Sequence, residues 1–131
     1  MFIQMLKAKI QELIVSESNI DYPGSISLPD EVLKASGIKQ FELVHVNNKT
    51  NGERIITYAV RSKRRGFVTV NGAASKLFSA GDIIHVLSYA HLSEMEAETF
   101  NPTLVIADKN NHLVAGGIYA LNKNYSYLND L

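Results

Sequence analysis

A chain of 131 residues that is 46% hydrophobic is long enough for one core and too short for two, which excludes a disordered protein. It has no cysteine, so disulfides, thiolate catalysis and cysteine-based zinc sites are excluded as well. Thirteen basic residues balance thirteen acidic ones, which leaves no electrostatic footprint for nucleic acid or a membrane surface.

The N-terminal MFIQMLKAKIQ has no signal-peptide core, and no apolar run approaches the ~20 residues of a membrane span. A cytoplasmic protein is the expectation. The first segment fits two periods. Ile3, Leu6, Ile10, Leu13 and Ile14 follow helical spacing, while Met5 to Ile10 alternate as a strand would, and periodicity leaves both open. Next comes DYPGSISLP, Asp21 to Pro29. Pro23-Gly24 suits a type II turn, which needs φ near −60° and then φ above zero, and an apolar-alternating strand follows. Ser27 with Asp30 resembles a capping pair, and Gly37 is a C-terminal stop, which predicts a helix over about Pro29–Ser36. Strand-like runs then occur at 41–46, 54–60, 67–70, 83–90 and 103–107, separated by Asn- and Gly-rich turns. Short helices are predicted over Gly72–Phe78 and Ser93–Thr99, the second with Ser93 as N-cap and Glu96 completing a capping box. Many short strands with little helix predict a small barrel or sandwich. The last stretch, AGGIYALNKNYSYLNDL, has weak periodicity and takes no assignment.

Single features carry little chemistry. His45, His85, His91 and His112 have no metal-ligand spacing and read as strand or turn residues. Arg61 to Arg65 reads as a solvated hairpin end. Ser16, Ser25 or Ser88 could partner a histidine, but no G-x-S-x-G elbow is present.

Four stretches taken together say more: LKAKI (Leu6–Ile10), YPGS (Tyr22–Ser25), NGERIITYAV (Asn51–Val60) and VNGAAS (Val70–Ser75). In this order and at nearly fixed spacing, from about Met1 to Asp108, they resemble the pyruvoyl-dependent aspartate decarboxylase family. The resemblance implies a mainly β fold, a six-stranded double-psi β-barrel with short helices, in which the undecided first segment is a strand. It implies one domain over 1–131 that cleaves itself into 1–24 and 25–131. Ser25 Oγ would attack the Gly24 carbonyl, and elimination and hydrolysis would then leave a pyruvoyl group on residue 25. That group is the implied cofactor, and it would form a Schiff base with L-aspartate on the way to β-alanine and CO₂ for pantothenate synthesis.

The family's roles carry over position by position. Thr57 would stabilise the oxyanion at Gly24 during cleavage. Tyr58 would be the proton donor, and Asn71, with the backbone of Gly72, Ala73 and Ala74, would anchor the bound substrate. Tyr22 would line the substrate site beside the cleavage point. A clamp on the leaving carboxylate would stabilise the ground state and slow its loss, so Arg54 and Lys9 are expected on the side-chain carboxylate. The implied assembly is a homotetramer with sites at subunit interfaces. The chain departs from the family at Gln11, where several members carry histidine, and at Asn47, where some carry tryptophan. Pro23 replaces an acidic or β-branched residue, and the sequence beyond Asp108 matches poorly. Two other readings share the fold: a barrel used only for binding or assembly, and the same chemistry on another amino acid.

Overall fold

The first segment is a strand, and its structure explains why its sequence gave two answers. The computed structural model describes residues 1–23 and 25–122. In it β1 (Phe2–Ile14) pairs antiparallel with β7 (Ile83–Ser93) and parallel with β8 (Thr103–Ala107). Its register slips between Leu6 and Ala8 and again between Ile10 and Leu13, the mark of β-bulges. The second bulge holds Glu12 at φ 67 and returns Leu13 to the face of Ile10, both wholly buried. An inserted residue thus turns a period of two into an apparent spacing of three.

The remaining strands are β2 (Glu17–Asn19), β3 (Ile26–Leu28), β4 (Leu43–Asn48), β5 (Arg54–Arg61), β6 (Thr69–Asn71) and β9 (Leu113–Ala120). All nine join one mixed sheet in the order β2-β6-β3-β5-β4-β7-β1-β8-β9. The sheet is curled. β1 stands seventh in that order and β2 first, yet only Val15 and Ser16 lie between them. The Ser16 N–H bonds the Val68 carbonyl at 2.7 Å and holds this link against the chain entering β6. Inward residues of β1, β3, β4, β5, β6, β7 and β8 then share one core with Val32 and Leu33 of α1 (Asp30–Ser36). A flat sheet could not bring them together. The sheet has nine strands among the described residues, where the resemblance implies a barrel of six; β2 is only three residues long, and β9 falls in the stretch of weak periodicity.

The helices need one correction. α1 begins after Pro29, which gives no side-chain cap. Ser27 is not its capping residue, because its hydroxyl is taken by the Thr69 hydroxyl across the sheet. The C-terminal stop is as expected: Gly37 has φ 74, and its N–H bonds the Leu33 carbonyl at 2.9 Å. A Cβ on Gly37 would meet nothing within 4 Å, so Gly37→Ala tests backbone conformation alone. The expected cost is about 1 kcal/mol, seen as a lower urea midpoint at unchanged slope. The segment Gly72–Leu77 is a 3₁₀ helix. α2 (Glu94–Thr99) has the full capping box, with Ser93 Oγ accepting from the Glu96 N–H at 3.1 Å. No helix among the described residues is long and apolar enough to cross a membrane.

Candidate active site

Ser25 is 4% exposed and fixed on two sides just before β3. Its hydroxyl donates to the Tyr58 carbonyl, and its own carbonyl accepts the Asn71 N–H at 2.8 Å. Both contacts follow from the sheet, since β3 runs parallel to β5 through Ile26↔Ala59 and antiparallel to β6 through Ile26↔Val70. Position 25 therefore sits between β5 and β6. Asn71 also donates from Nδ2 to the Thr69 hydroxyl at 3.2 Å, while its Oδ1 is buried with no hydrogen-bond partner among the described residues. A buried acceptor left unpaired carries a desolvation cost, and a donor on a bound molecule would relieve it. Gly72 follows at φ 71 and leads into Ala73 and Ala74, the latter packed against the core. Tyr22 is exposed at the end of the preceding bend. Gly24 lies outside the described residues.

A second group of expected site residues lies elsewhere on the sheet. Ala8 and Ile10 on β1, Val44 and Val46 on β4, and Ile84 and Val86 on β7 point into the core. Their neighbours Lys9, His45, Asn47, His85 and Leu87 therefore share the outer face. The ladders set Lys9 beside Leu87, Leu87 beside His45, His85 beside Asn47, and Asn47 beside Arg54. Among the described residues neither Lys9 nor Arg54 meets a carboxylate. The nearby carboxylate of Glu12 is already used by Lys49 at 2.8 Å and His85 Nε2 at 3.3 Å. The hydrogen bond from Lys49 chiefly holds the Glu12 carboxyl below its ordinary range, against the opposing effect of burial. Burial chiefly lowers the His85 pKa, Glu12 pulls it upward, and the charges of Lys9 and Lys49 lower it further. Lys9 and Arg54 thus lie on one outer face with no carboxylate partner among the described residues.

The structure thus brings Ser25, Asn71 and Gly72 together and leaves Lys9 and Arg54 apart from them. Arg54 and Tyr58 are separated by four residues of extended strand, about 13 Å. Tyr58 reaches Ser25 through its carbonyl, while its ring lies on the outer face 6.2 Å from that of Phe41. Phe41, Leu43, Ile56, Thr57 and Tyr58 line an open depression of about 590 Å³ on that face. Three of these side chains, Phe41, Leu43 and Ile56, are more than half exposed. Together with Tyr58 they form a contiguous apolar patch on the outer face.

Sequence reasoning missed His45, whose Nδ1 stands 2.7 Å from Arg54 Nη2, and the Glu12–His85–Lys49 group. The first was within reach. Asn51-Gly52 is a hairpin turn signal, and a hairpin closed there pairs 47 with 54 and sets 45 diagonally across from Arg54. The second depends on the Glu12 bulge, for which the sequence has no signal. Among the described residues the other serines form no histidine dyad: Ser16 Oγ accepts the Val68 N–H at 3.0 Å, and Ser88 Oγ is buried without a partner there.

The sequence pattern of the family described as aspartate decarboxylase matches residues 1–114. The chain belongs to this family. Its relatives include the aspartate 1-decarboxylase of Campylobacter jejuni subsp. jejuni serotype O:6 (strain 81116 / NCTC 11828). That protein is 45% identical over 111 residues, covering 85% of this chain and 88% of its own. The aspartate 1-decarboxylase of Stenotrophomonas maltophilia (strain R551-3) is 42% identical over 114 residues, with 86% and 90% covered. That of Xanthomonas campestris pv. campestris (strain B100) is 43% identical over 112 residues, with 85% and 89% covered.

Proposed function

We propose that this chain is a proenzyme that cleaves itself between Gly24 and Ser25 and then decarboxylates L-aspartate to β-alanine and CO₂ for pantothenate synthesis. The observation that carries the reading is Ser25 itself, a buried serine held from both sides within a chain of this family. Its Oγ attacks the Gly24 carbonyl carbon as the Ser25 nitrogen leaves it, and the peptide becomes an ester. Thr57, next to Tyr58 on β5, hydrogen-bonds the carbonyl oxygen while it bears charge. Loss of the Ser25 α-proton then expels the Gly24 carboxylate from Cβ and breaks the chain. Water displaces the nitrogen as ammonia and leaves a pyruvoyl group at residue 25.

The residues present fit that group: position 25 is buried, and the Oδ1 of Asn71, whose N–H bonds its carbonyl, has no hydrogen-bond partner among the described residues. A pyruvoyl group at residue 25 would supply an electrophilic carbonyl for the substrate amine and an electron sink for the loss of CO₂. Asn71 Oδ1 accepts a hydrogen bond from the substrate nitrogen, and the Tyr58 hydroxyl delivers the proton to Cα. Arg54 and Lys9 hold the carboxylate that stays in the product, which leaves the reacting carboxylate unclamped.

Because Lys9 and Arg54 stand apart from Ser25 on one chain, we assign them to the site of a neighbouring copy. The apolar face around Phe41, Leu43 and Ile56 would be covered in a homotetramer. The curled sheet, with its parallel pairs β1/β8, β2/β6 and β3/β5, is assigned to the double-psi barrel class. The proposed location is the cytoplasm. The test is the intact mass of purified protein after mild heating, followed by CO₂ release from L-aspartate. Fragments 1–24 and 25–131, the larger blocked at its N-terminus, with β-alanine formed, are the expected result. A chain that stays whole under all conditions and releases no CO₂ overturns the proposal in favour of a binding module.

A further inference from the structure

Arg54 has one side-chain partner among the described residues, and that partner is not an acid. Its Nη2 lies 2.7 Å from His45 Nδ1. A guanidinium has only donors and keeps its proton, so Nδ1 accepts and the imidazole is neutral, with its hydrogen on Nε2. Burial chiefly, and the charge of Arg54 next, lower the His45 pKa and favour that neutral form. The ring is braced on its other side, edge-on to Tyr89 with centroids 5.0 Å apart at 68°. The backbone supports the pair, since the β4–β5 ladder sets His45 opposite Ile56 and Asn47 opposite Arg54 on one outer face.

We infer that His45 is a positioning residue for substrate binding, an uncharged acceptor that aims the Arg54 guanidinium without neutralising it. An exposed arginine at the first residue of a strand otherwise samples many rotamers, and ordering it when substrate binds weakens affinity. An aspartate or glutamate at 45 would order it too, but would fill the place a substrate carboxylate must take. A neutral imidazole uses one of five N–H groups and leaves a bidentate edge open. This inference rests on the reading that Arg54 binds the side-chain carboxylate, and its test separates the two.

The self-processed enzyme would be prepared with His45→Leu, His45→Phe, His45→Asn and Arg54→Gln. Kinetics with L-aspartate would be measured for each, and thermal melts would check folding. Leucine and asparagine have the same shape, and only asparagine offers an acceptor near the Nδ1 position; phenylalanine keeps the ring against Tyr89. Losing one such hydrogen bond is expected to raise KM about 3- to 10-fold in the leucine and phenylalanine variants, with kcat within about twofold. The asparagine variant is expected to return KM to within about twofold of the unmodified enzyme. Should one apolar variant fail to fold, the other decides against asparagine. An unchanged KM in the apolar variants, with Arg54→Gln raising it, overturns the role of His45 and leaves the proposed function standing. Equal KM rises for leucine and asparagine overturn it as well, because shape rather than the acceptor then matters. An unchanged KM in Arg54→Gln refutes the binding role of Arg54, and that of His45 with it.

Discussion

Ser25→Ala is expected to yield one uncut chain of full mass with no detectable release of CO₂ from aspartate, while the unmodified protein yields two fragments. The loss is complete because alanine lacks both the nucleophile for the acyl shift and the leaving oxygen for the elimination. The fold should survive it. Position 25 is held as much by backbone as by side chain, and the Asn71 N–H bond to its carbonyl at 2.8 Å stays in place. The lost hydroxyl leaves the Tyr58 carbonyl without that donor, a cost of about 1–3 kcal/mol if no water replaces it. Circular dichroism and a thermal melt would show a folded and somewhat less stable protein. Mass spectrometry finding the same two fragments in the alanine variant would falsify the role of Ser25 as the nucleophile.

What was legible in the sequence, and what was not, follows from how local each feature is. The capping box at Ser93 and the stop at Gly37 were readable because every contact involved lies within four residues. Ser27 shows the same pattern three residues before an acid, yet its hydroxyl goes to Thr69, 42 residues away, and α1 starts without it. A pairing across the sheet overrides the local signal. β1 misled for a related reason: its bulges exist because β7 has fewer residues to offer opposite it, and β7 begins 69 residues after β1 ends. In β9 the glycine at 117 leaves no alternating side chain to read. A Cβ there would come within 2.9 Å of the Ile106 carbonyl, so close backbone approach replaces the hydrophobic pattern.

The site divides along the same line. Spacing and resemblance named Ser25, Asn71, Lys9 and Arg54, but only the register tells which of them one chain can bring together. Tyr58 and Arg54 lie on one strand and one face, so the sequence presents them as partners. The strand sets their backbones about 13 Å apart. Under the proposed tetramer, a substrate at Ser25 would meet Arg54 from a second chain, and the exposed Phe41, Leu43 and Ile56 are where that chain would rest.

Ser25→Ala and the double variant Lys9→Ala/Arg54→Gln are each expected to be inactive, or nearly so, when prepared alone. Co-expressed in equal amounts, they should assemble into mixed tetramers. If each site takes residue 25 from one copy and the two cations from another, a given site draws each intact half with probability one-half. About a quarter of the sites are then fully intact, and activity should return to about a quarter of the unmodified level. The Ser25→Ala chain stays uncut in these mixtures and still contributes its Lys9 and Arg54 face. If instead all these residues served one site within a single chain, no mixed tetramer would contain an intact site and activity would stay at the level of the separate variants. Recovery near a quarter, scaling with the mixing ratio p as p(1−p), would place the two halves of the site on different copies; no recovery, with mixed tetramers verified by mass, would return Lys9 and Arg54 to some role other than holding the substrate of a neighbour.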